Sequence, residues 1–406
     1  MQPPNESPTS PARLALYNFT SRWFLVPQGT GITAVILHQL DYQFHGLQII
    51  SYIFWVMTIT LLLTMVLVYT IRCICFPRKV LTALSREMDE LACLNSITIS
   101  FTSIIQMMAL TLVQGWGKGW GIAAYVLWWI NTAMAILGTV IVPFVFISLY
   151  AKGVPYLSPT TRLPLISALT AAAGGGTICQ YAEISSQLQI PVIVVSYLLV
   201  GMALPLAFGL DVLVWARLVK RLDRQHVFQE MILCGPWGQG SFALQGLGGA
   251  VMQGSFAAYA SGTFLTAKAA EPVGFASIFL GVLAWGMGTF WWIFAILNIL
   301  FAAINHWRWR GIPFSLATWS VVFPWGVYTN AAVQLGKLLD SAAFKVWSTA
   351  LAIMLVIIWL MNMFMTIKGV ISGSLLGMDK GWKVKVCEKP DEEQGRAGMS
   401  NGKVKP

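Results

Sequence analysis

The chain carries ten apolar stretches long enough, or nearly long enough, to cross a lipid bilayer: residues 24–40, 47–71, 91–113, 120–149, 163–182, 189–216, 231–252, 273–304, 315–336 and 345–370. A helix needs about 20 such residues to span the hydrocarbon core. In lipid every backbone N–H and C=O must be satisfied within the protein, which leaves helices or a closed barrel. Barrel strands alternate apolar and polar residues, and continuous apolar runs of this length exclude them. The fold class expected is an all-α polytopic membrane protein. Composition agrees: 57% of the 406 residues are hydrophobic and 10% are charged, against about 25% charged in a soluble domain.

The net charge of +10 reads as topology rather than as affinity for nucleic acid, because the basic residues sit in short loops and in the tail. With the N-terminus in the cytosol, the inner loops hold twelve cations: Arg72, Arg78, Lys79, Arg86, Lys152, Arg162, Arg217, Lys220, Arg221, Arg224, Arg308 and Arg310. The outer loops hold four, Lys118, Lys268, Lys337 and Lys345. That positive-inside bias puts both termini in the cytosol, and the cationic rim faces anionic lipid headgroups. The expected organisation is a cytosolic N-terminal segment (1–22), a ten-helix domain (23–372) and a disordered cytosolic tail (373–406). The N-terminal segment has no apolar core, so it does not read as a cleaved signal peptide.

The segments alternate in character. Odd-numbered ones are mostly short and rich in small and hydroxyl residues, among them Gly29-Thr30-Gly31 and Gly174-Gly175-Gly176-Thr177. Even-numbered ones are longer and more apolar, with Trp128-Trp129 and Trp291-Trp292. The alternation predicts five hairpin repeats, with odd helices in an inner ring around a central pore and even helices facing lipid. Three odd segments share a proline and glycine pattern, Pro27-Gln28-Gly29, Pro236-Trp237-Gly238 and Pro324-Trp325-Gly326. Broken or kinked helices at matched positions of repeats point to a substrate path. The expected lining is Gly29, Thr30, Gly31, Gly175, Thr177, Gly238, Gln239, Ser241, Pro324 and Gly326. Ordinary helix packing is the competing explanation, since small residues also mediate close contact in membranes.

Enzyme signatures are absent. The four histidines, His38, His45, His226 and His306, lie at helix ends or in loops without paired spacing. The six cysteines form no CxxC pair, so neither a disulfide framework nor a metal site is expected. Cys73 and Cys75 flank a cytosolic helix end, where palmitoylation is an option beside plain thiols. No cofactor is expected. No Lys or Arg falls at mid-membrane in the odd segments, so the path offers hydroxyls, backbone N–H groups and apolar rings; a fixed buried cation would bind an anion strongly and slow its release. Arg22 is placed to attract anions at the cytosolic mouth, or to anchor the helix in the interface. Glu183 and Asp211 are candidates for a proton relay, against a solvated helix end for Glu183 and an ion pair with Arg217 for Asp211.

With these segments in view, the chain resembles the tellurite-resistance/dicarboxylate transporter family, which includes plant slow-type anion channels, fungal malic acid transport proteins and fungal sulfite efflux pumps. The resemblance covers roughly residues 20–372. It is carried by Gly29-Thr30-Gly31, Tyr42-Gln43-Phe44-His45-Gly46-Leu47, Tyr125-Val126-Leu127-Trp128-Trp129, Gly235-Pro236-Trp237-Gly238-Gln239-Gly240-Ser241-Phe242, Phe323-Pro324-Trp325-Gly326-Val327-Tyr328 and Gln334-Leu335-Gly336-Lys337. The seventh- and ninth-segment motifs look most like those of sulfite efflux pumps. The resemblance implies a voltage-dependent anion channel-like fold of ten helices in five hairpins, commonly a homotrimer with one pore per protomer. It implies a gating phenylalanine at the position of Phe323. One departure is Ile99-Ser100-Phe101-Thr102-Ser103, which lacks the proline and glycine that sulfite pumps carry in the third helix. The expected function is sulfite efflux across the plasma membrane. The alternatives are transport of malate or another C4-dicarboxylate, and a passive gated anion channel.

Overall fold

The computed structural model describes residues 10–149, 158–217, 224–305 and 314–378. Lys152, Lys220, Arg221, Arg308, Arg310, His306 and the tail beyond Met378 lie outside them. Among the described residues the chain is helical, and its one β feature is an isolated bridge between Ser261 and Leu265. Seven helices are long and apolar enough to cross a membrane: Leu47–Cys75, Met88–Trp116, Gly119–Ser148, Pro159–Tyr181, Ser186–Trp215, Ala267–Ile304 and Ala342–Ile371. Three further helical stretches are richer in small and polar residues: Ser21–Phe24 running into Leu25–Gln39, Arg224–Cys234 running into Gly235–Ala250, and Leu316–Val321 running into Val322–Leu338.

The chain opens with α1 (Pro11–Asn18), α2 (Leu25–Gln39), α3 (Leu47–Cys75) and α4 (Pro77–Arg86). The third apolar segment is built from α5 (Met88–Cys93), α6 (Ser96–Met107), a π-helical turn and α7 (Val113–Trp116). Then follow α8 (Gly119–Leu149), α9 (Leu163–Tyr181), α10 (Ser186–Arg217), α11 (Gly235–Ala250), α12 (Phe256–Tyr259), α13 (Ala267–Asn305), α14 (Val322–Leu338) and α15 (Ala342–Ile371).

Burial separates two layers. In the most apolar window of Pro159–Tyr181, 94% of residues are buried, against 22% for Ala267–Ile304 and 28% for Leu47–Cys75. Helices α2, α11 and α14 are likewise buried along almost their whole length. The buried helices touch one another in a closed cycle: α2 packs on α6, α6 on α9, α9 on α11, α11 on α14, and α14 back on α2. Each also packs on the long helix that follows it, in the pairs α2–α3, α6–α8, α9–α10, α11–α13 and α14–α15. The outer helices α3, α8, α10, α13 and α15 leave large apolar side chains exposed, such as Leu63, Phe144, Leu198, Phe279 and Phe364.

The prolines of the buried helices sit where an α-helix tolerates them. Expected to kink mid-membrane helices, Pro27, Pro236 and Pro324 instead lie in the first turn of α2, α11 and α14, just after 3₁₀ turns. There the missing N–H has no intrahelical partner to lose. Pro164 repeats the arrangement in α9 after the turn Pro159–Arg162. Helix α6 has no such proline and is entered through α5 instead.

Glycines set the spacing of the ring. A Cβ built on Gly176 would lie 3.1 Å from the Gly246 carbonyl carbon, and one on Gly238 2.8 Å from the Tyr328 backbone nitrogen. Such close backbone approach is what small residues provide between membrane helices. Gly238→Ala therefore forces α11 and α14 apart, because the obstructing atoms are backbone and cannot rotate away. The expected cost is about 1–3 kcal/mol, read as a lower melting temperature and less monodisperse protein. Gly286→Ala on α13, where an added Cβ meets nothing within 4 Å, is the matched control.

Polar clusters clamp the ends of the ring helices that follow the loops rich in Lys and Arg. Arg72 pairs with Glu90 at 2.6 Å, both side chains 2% exposed, and Ser21 and Tyr69 donate to the same carboxylate. On that face Asn18 of α1 donates to the Leu376 carbonyl at 3.2 Å, and the Lys79 ammonium lies 3.4 Å from the centroid of the Tyr17 ring. The described part of the N-terminal segment and the turn that follows α15 thus meet on one side of the molecule.

Candidate functional site

Each ring helix makes contacts that fix which of its faces turns inward, because successive residues are rotated by about 100°. On α14, Val322 and Gly326 meet Gly29 and Ile32 of α2. The Trp325 indole donates to the Leu351 carbonyl of α15 at 3.0 Å. Tyr328 stacks on Trp285 and Trp292 of α13, and Gly238 of α11 abuts the Val327–Tyr328 backbone. The sector left over, between α2 and α11, holds Phe323 and Asn330, seven residues or about two turns apart. Lys337 continues the stripe by seven more, and its ammonium donates to the Gln39 carbonyl at 2.6 Å.

The same reasoning places the other inward faces. On α2, Gly31 meets Ser103 of α6, Thr30 accepts from the Trp359 indole of α15, and the Ala34 carbonyl accepts from Ser51 of α3, which leaves Gln28 and Val35. On α9, Gly174 meets Thr102, Gly175 meets Ser196 and Gly176 meets Gly246, which leaves Ala173 and Thr177. Ile99 and Gln106 are left on α6, and Gln106 donates to Thr177 at 3.1 Å. On α11, Gly238 faces α14, Ser241 donates to the Gly281 carbonyl of α13 at 2.6 Å and the Trp237 indole reaches Asp211 of α10, which leaves Gln239 and Phe242.

Of the residues expected on the lining, Thr177 and Gln239 fall on inward faces, and so does Phe323. Gly29, Gly31, Gly238 and Gly326 lie at the seams between ring helices, where they fix how closely those helices approach. Pro324 faces α11 across from Gly235. Thr30, Gly175 and Ser241 turn outward to α15, α10 and α13. Gln28, Ile99 and Phe242 stand in motifs noted in the sequence but were not among the residues expected to line the path, and Asn330 stands in none. The available signal was the seven-residue spacing of Phe323 and Asn330, which puts them on one face.

Charge is confined to the ends. Arg22, half-exposed, pairs with Asp89 at 2.7 Å, and Asp89 also accepts from Ser158 and Thr160. Arg22 is therefore a neutralised cation rather than a free one at the mouth. Glu183 is exposed and lies 3.8 Å from Lys118, a solvated helix end. Asp211 pairs with Arg162, 49 positions away, at 2.9 Å, and also accepts from Trp237 at 2.6 Å; the expected partner was Arg217, whose side chain is not among those described. Glu183 and Asp211 are not brought together.

Along the inward faces of α2, α6, α9, α11 and α14, short of Lys337, no side chain is charged. What remains is carboxamides, one threonine hydroxyl and apolar groups. Gln28, Gln239 and Asn330 are 1–2% exposed. The side-chain oxygens of all three lack a hydrogen-bond partner, and in Asn330 so does the nitrogen. Phe323 is 2% exposed. Such a surface can give hydrogen bonds to a small anion without holding it by charge.

Comparison with known proteins gives concordant results. The model of the voltage-dependent anion channel family matches residues 18–367. The sulfite efflux pump of Arthroderma otae is 29% identical over 357 residues, 87% of this chain and 91% of that protein. The sulfite efflux pump of Trichophyton rubrum is 28% identical over the same shares. The malic acid transport protein of Schizosaccharomyces pombe is 22% identical over 376 residues, 91% of this chain and 82% of that protein.

Proposed function

This chain belongs to the voltage-dependent anion channel family, and from that premise we propose that it exports small oxyanions, sulfite foremost, across the plasma membrane. The path runs through a bundle of ten membrane-crossing helices arranged as five hairpins. The observation that carries the reading is the closed cycle of buried helices, whose inward faces bear carboxamides and a threonine. Phe323 closes the path and the lining presents hydrogen-bond donors along it. Sulfite is favoured over other anions by the similarity to sulfite efflux pumps over most of the chain. Both termini lie in the cytosol, which the loop cations and the meeting of α1 with the turn after α15 support. Glu183 and Asp211 sit in ion pairs at the ends, which speaks against a proton relay through them. Protomers assemble as homotrimers in the lipid bilayer, each with its own path.

A second reading is transport of malate. It rests on the similarity to a malic acid transport protein and on the polar third segment, where Ser100, Thr102 and Ser103 stand. Purified protein in liposomes loaded with sulfite or with malate, side by side, separates the two. The expected result is sulfite efflux well above that of protein-free liposomes, with malate slower. Malate faster than sulfite selects the second reading, and no flux of either anion rejects both.

A further inference from the structure

Asn330 is unlike the other asparagines whose side chains are described. Asn18, Asn95, Asn131, Asn298 and Asn362 each donate a side-chain hydrogen bond, to a backbone carbonyl or to a neighbouring side chain. Asn330 is 1% exposed, yet neither its Oδ1 nor its Nδ2 has a partner. A buried carboxamide with both halves open is costly in any apolar surrounding. In a helix that otherwise satisfies its polar groups, as Trp325 and Thr329 do, the exception calls for a ligand. Asn330 lies on the same face as Phe323, about two turns further along α14, towards Lys337.

We propose that Asn330 is the centre of a binding site for a singly protonated oxyanion. The proposal rests on the anion-export reading above and names the chemical species that the path selects. A carboxamide offers two N–H donors and one carbonyl acceptor. Hydrogen sulfite presents the complement, anionic oxygens that accept and one hydroxyl that donates. Nitrate and chloride only accept, and would leave the Asn330 oxygen unpaired. A site built to hydrogen-bond a hydroxyl discriminates strongly against analogues without one, because its own buried group is then left unmatched. With no fixed cation at that level, the ligand is recognised by this pattern of donors and acceptors, and release towards Lys337 is not opposed by a buried charge.

The test compares Asn330→Leu and Asn330→Asp with the parent, all in a Phe323→Ala background so that passage at the aromatic ring does not limit flux. Hydrogen sulfite and nitrate fluxes are measured in liposomes at one mildly acidic pH and normalised to folded protein. Asn330→Leu keeps shape and removes the donors and the acceptor. It is expected to lower hydrogen sulfite flux about tenfold or more, the scale of a lost hydrogen bond to a charged group, while nitrate, which loses the donors but no longer faces an unmatched buried oxygen, stays within about twofold. Asn330→Asp adds a negative charge and is expected to suppress both anions, which checks only that the position lines the path; if the leucine variant does not fold, Asn330→Ala takes its place with the same two outcomes. Equal loss of the two anions in Asn330→Leu, or no loss of either, overturns the site. If the parent moves no anion at all, the transport reading fails by itself. Calorimetric titration of the full chain in nanodiscs with hydrogen sulfite then judges the site separately: binding that Asn330→Leu weakens supports it, and unchanged or absent binding overturns it.

Discussion

Phe323→Ala is expected to raise anion flux per folded molecule by about tenfold or more, equivalent to removing about 1.4 kcal/mol or more from the barrier to passage. The ring is 2% exposed and occupies the sector of α14 that no neighbouring helix claims. Val322 and Gly326 go to α2, Trp325 to α15 and Tyr328 to α13. Among the described residues no aromatic ring stacks on Phe323, whereas Tyr328, five positions on, stacks on two tryptophans. An aromatic ring across a narrow passage excludes water, and with it ions. Truncation leaves a wider, hydrated opening. A phenylalanine that served only as packing would behave in the opposite way: its loss would cost about 3–5 kcal/mol, lower the melting temperature and leave flux per folded molecule unchanged. Flux in liposomes, together with a melting curve on the same preparation, separates these outcomes.

Asp211→Ala is expected to destabilise the protein by about 3–5 kcal/mol, the cost of leaving a buried charge without its partner. The Arg162 side chain is 0% exposed and Asp211 2%. Two guanidinium nitrogens converge on one carboxylate oxygen, while the Trp237 indole holds the other. The pair joins the entry of α9 to α10 and, through Trp237, to α11, so its loss loosens the hairpin at one end. The double variant Arg162→Met with Asp211→Leu is expected to recover much of that loss, since apolar side chains of similar volume often replace a buried pair without penalty. Melting temperatures of the single and double variants give the coupling energy directly. A single alanine variant as stable as the parent contradicts the assignment.

Much of the fold was legible because lipid restricts the choices. Apolar runs such as 47–71 and 345–370 can only be helices, and short segments rich in glycine, such as 163–182, can only be packed inside. The inward face was legible only in part: Thr177, Gln239 and Phe323 were expected there, but most of the expected lining turns elsewhere. Gly29, Gly31, Gly238 and Gly326 were expected on the lining because small residues suit both a pore and a helix seam, and sequence carries no information on which neighbour a glycine meets. The structure decides it through contacts such as Gly31 with Ser103 and Gly326 with Ile32. Ion pairs were hidden for a related reason. Arg217 follows Asp211 by six positions and offered itself as a partner, but the hairpin brings Arg162 to it from across 49 positions. Asn330 drew no notice because an asparagine in a polar helix is ordinary; its open donor and acceptor exist only in the folded ring.

Thiol labelling of two positions on one helix shows whether the inward faces of the buried helices form the anion path. Val35→Cys lies on the inward face of α2, and Thr30→Cys on the face bonded to Trp359 of α15. Both are made in Phe323→Ala protein with Cys75 and Cys387 replaced by serine, and each is treated with a negatively charged methanethiosulfonate while sulfite flux is followed. The reagent is expected to label the Val35→Cys variant and block its flux, and to leave the Thr30→Cys variant unlabelled with its flux intact. Labelling of Thr30→Cys with none of Val35→Cys would place the path elsewhere than along these faces.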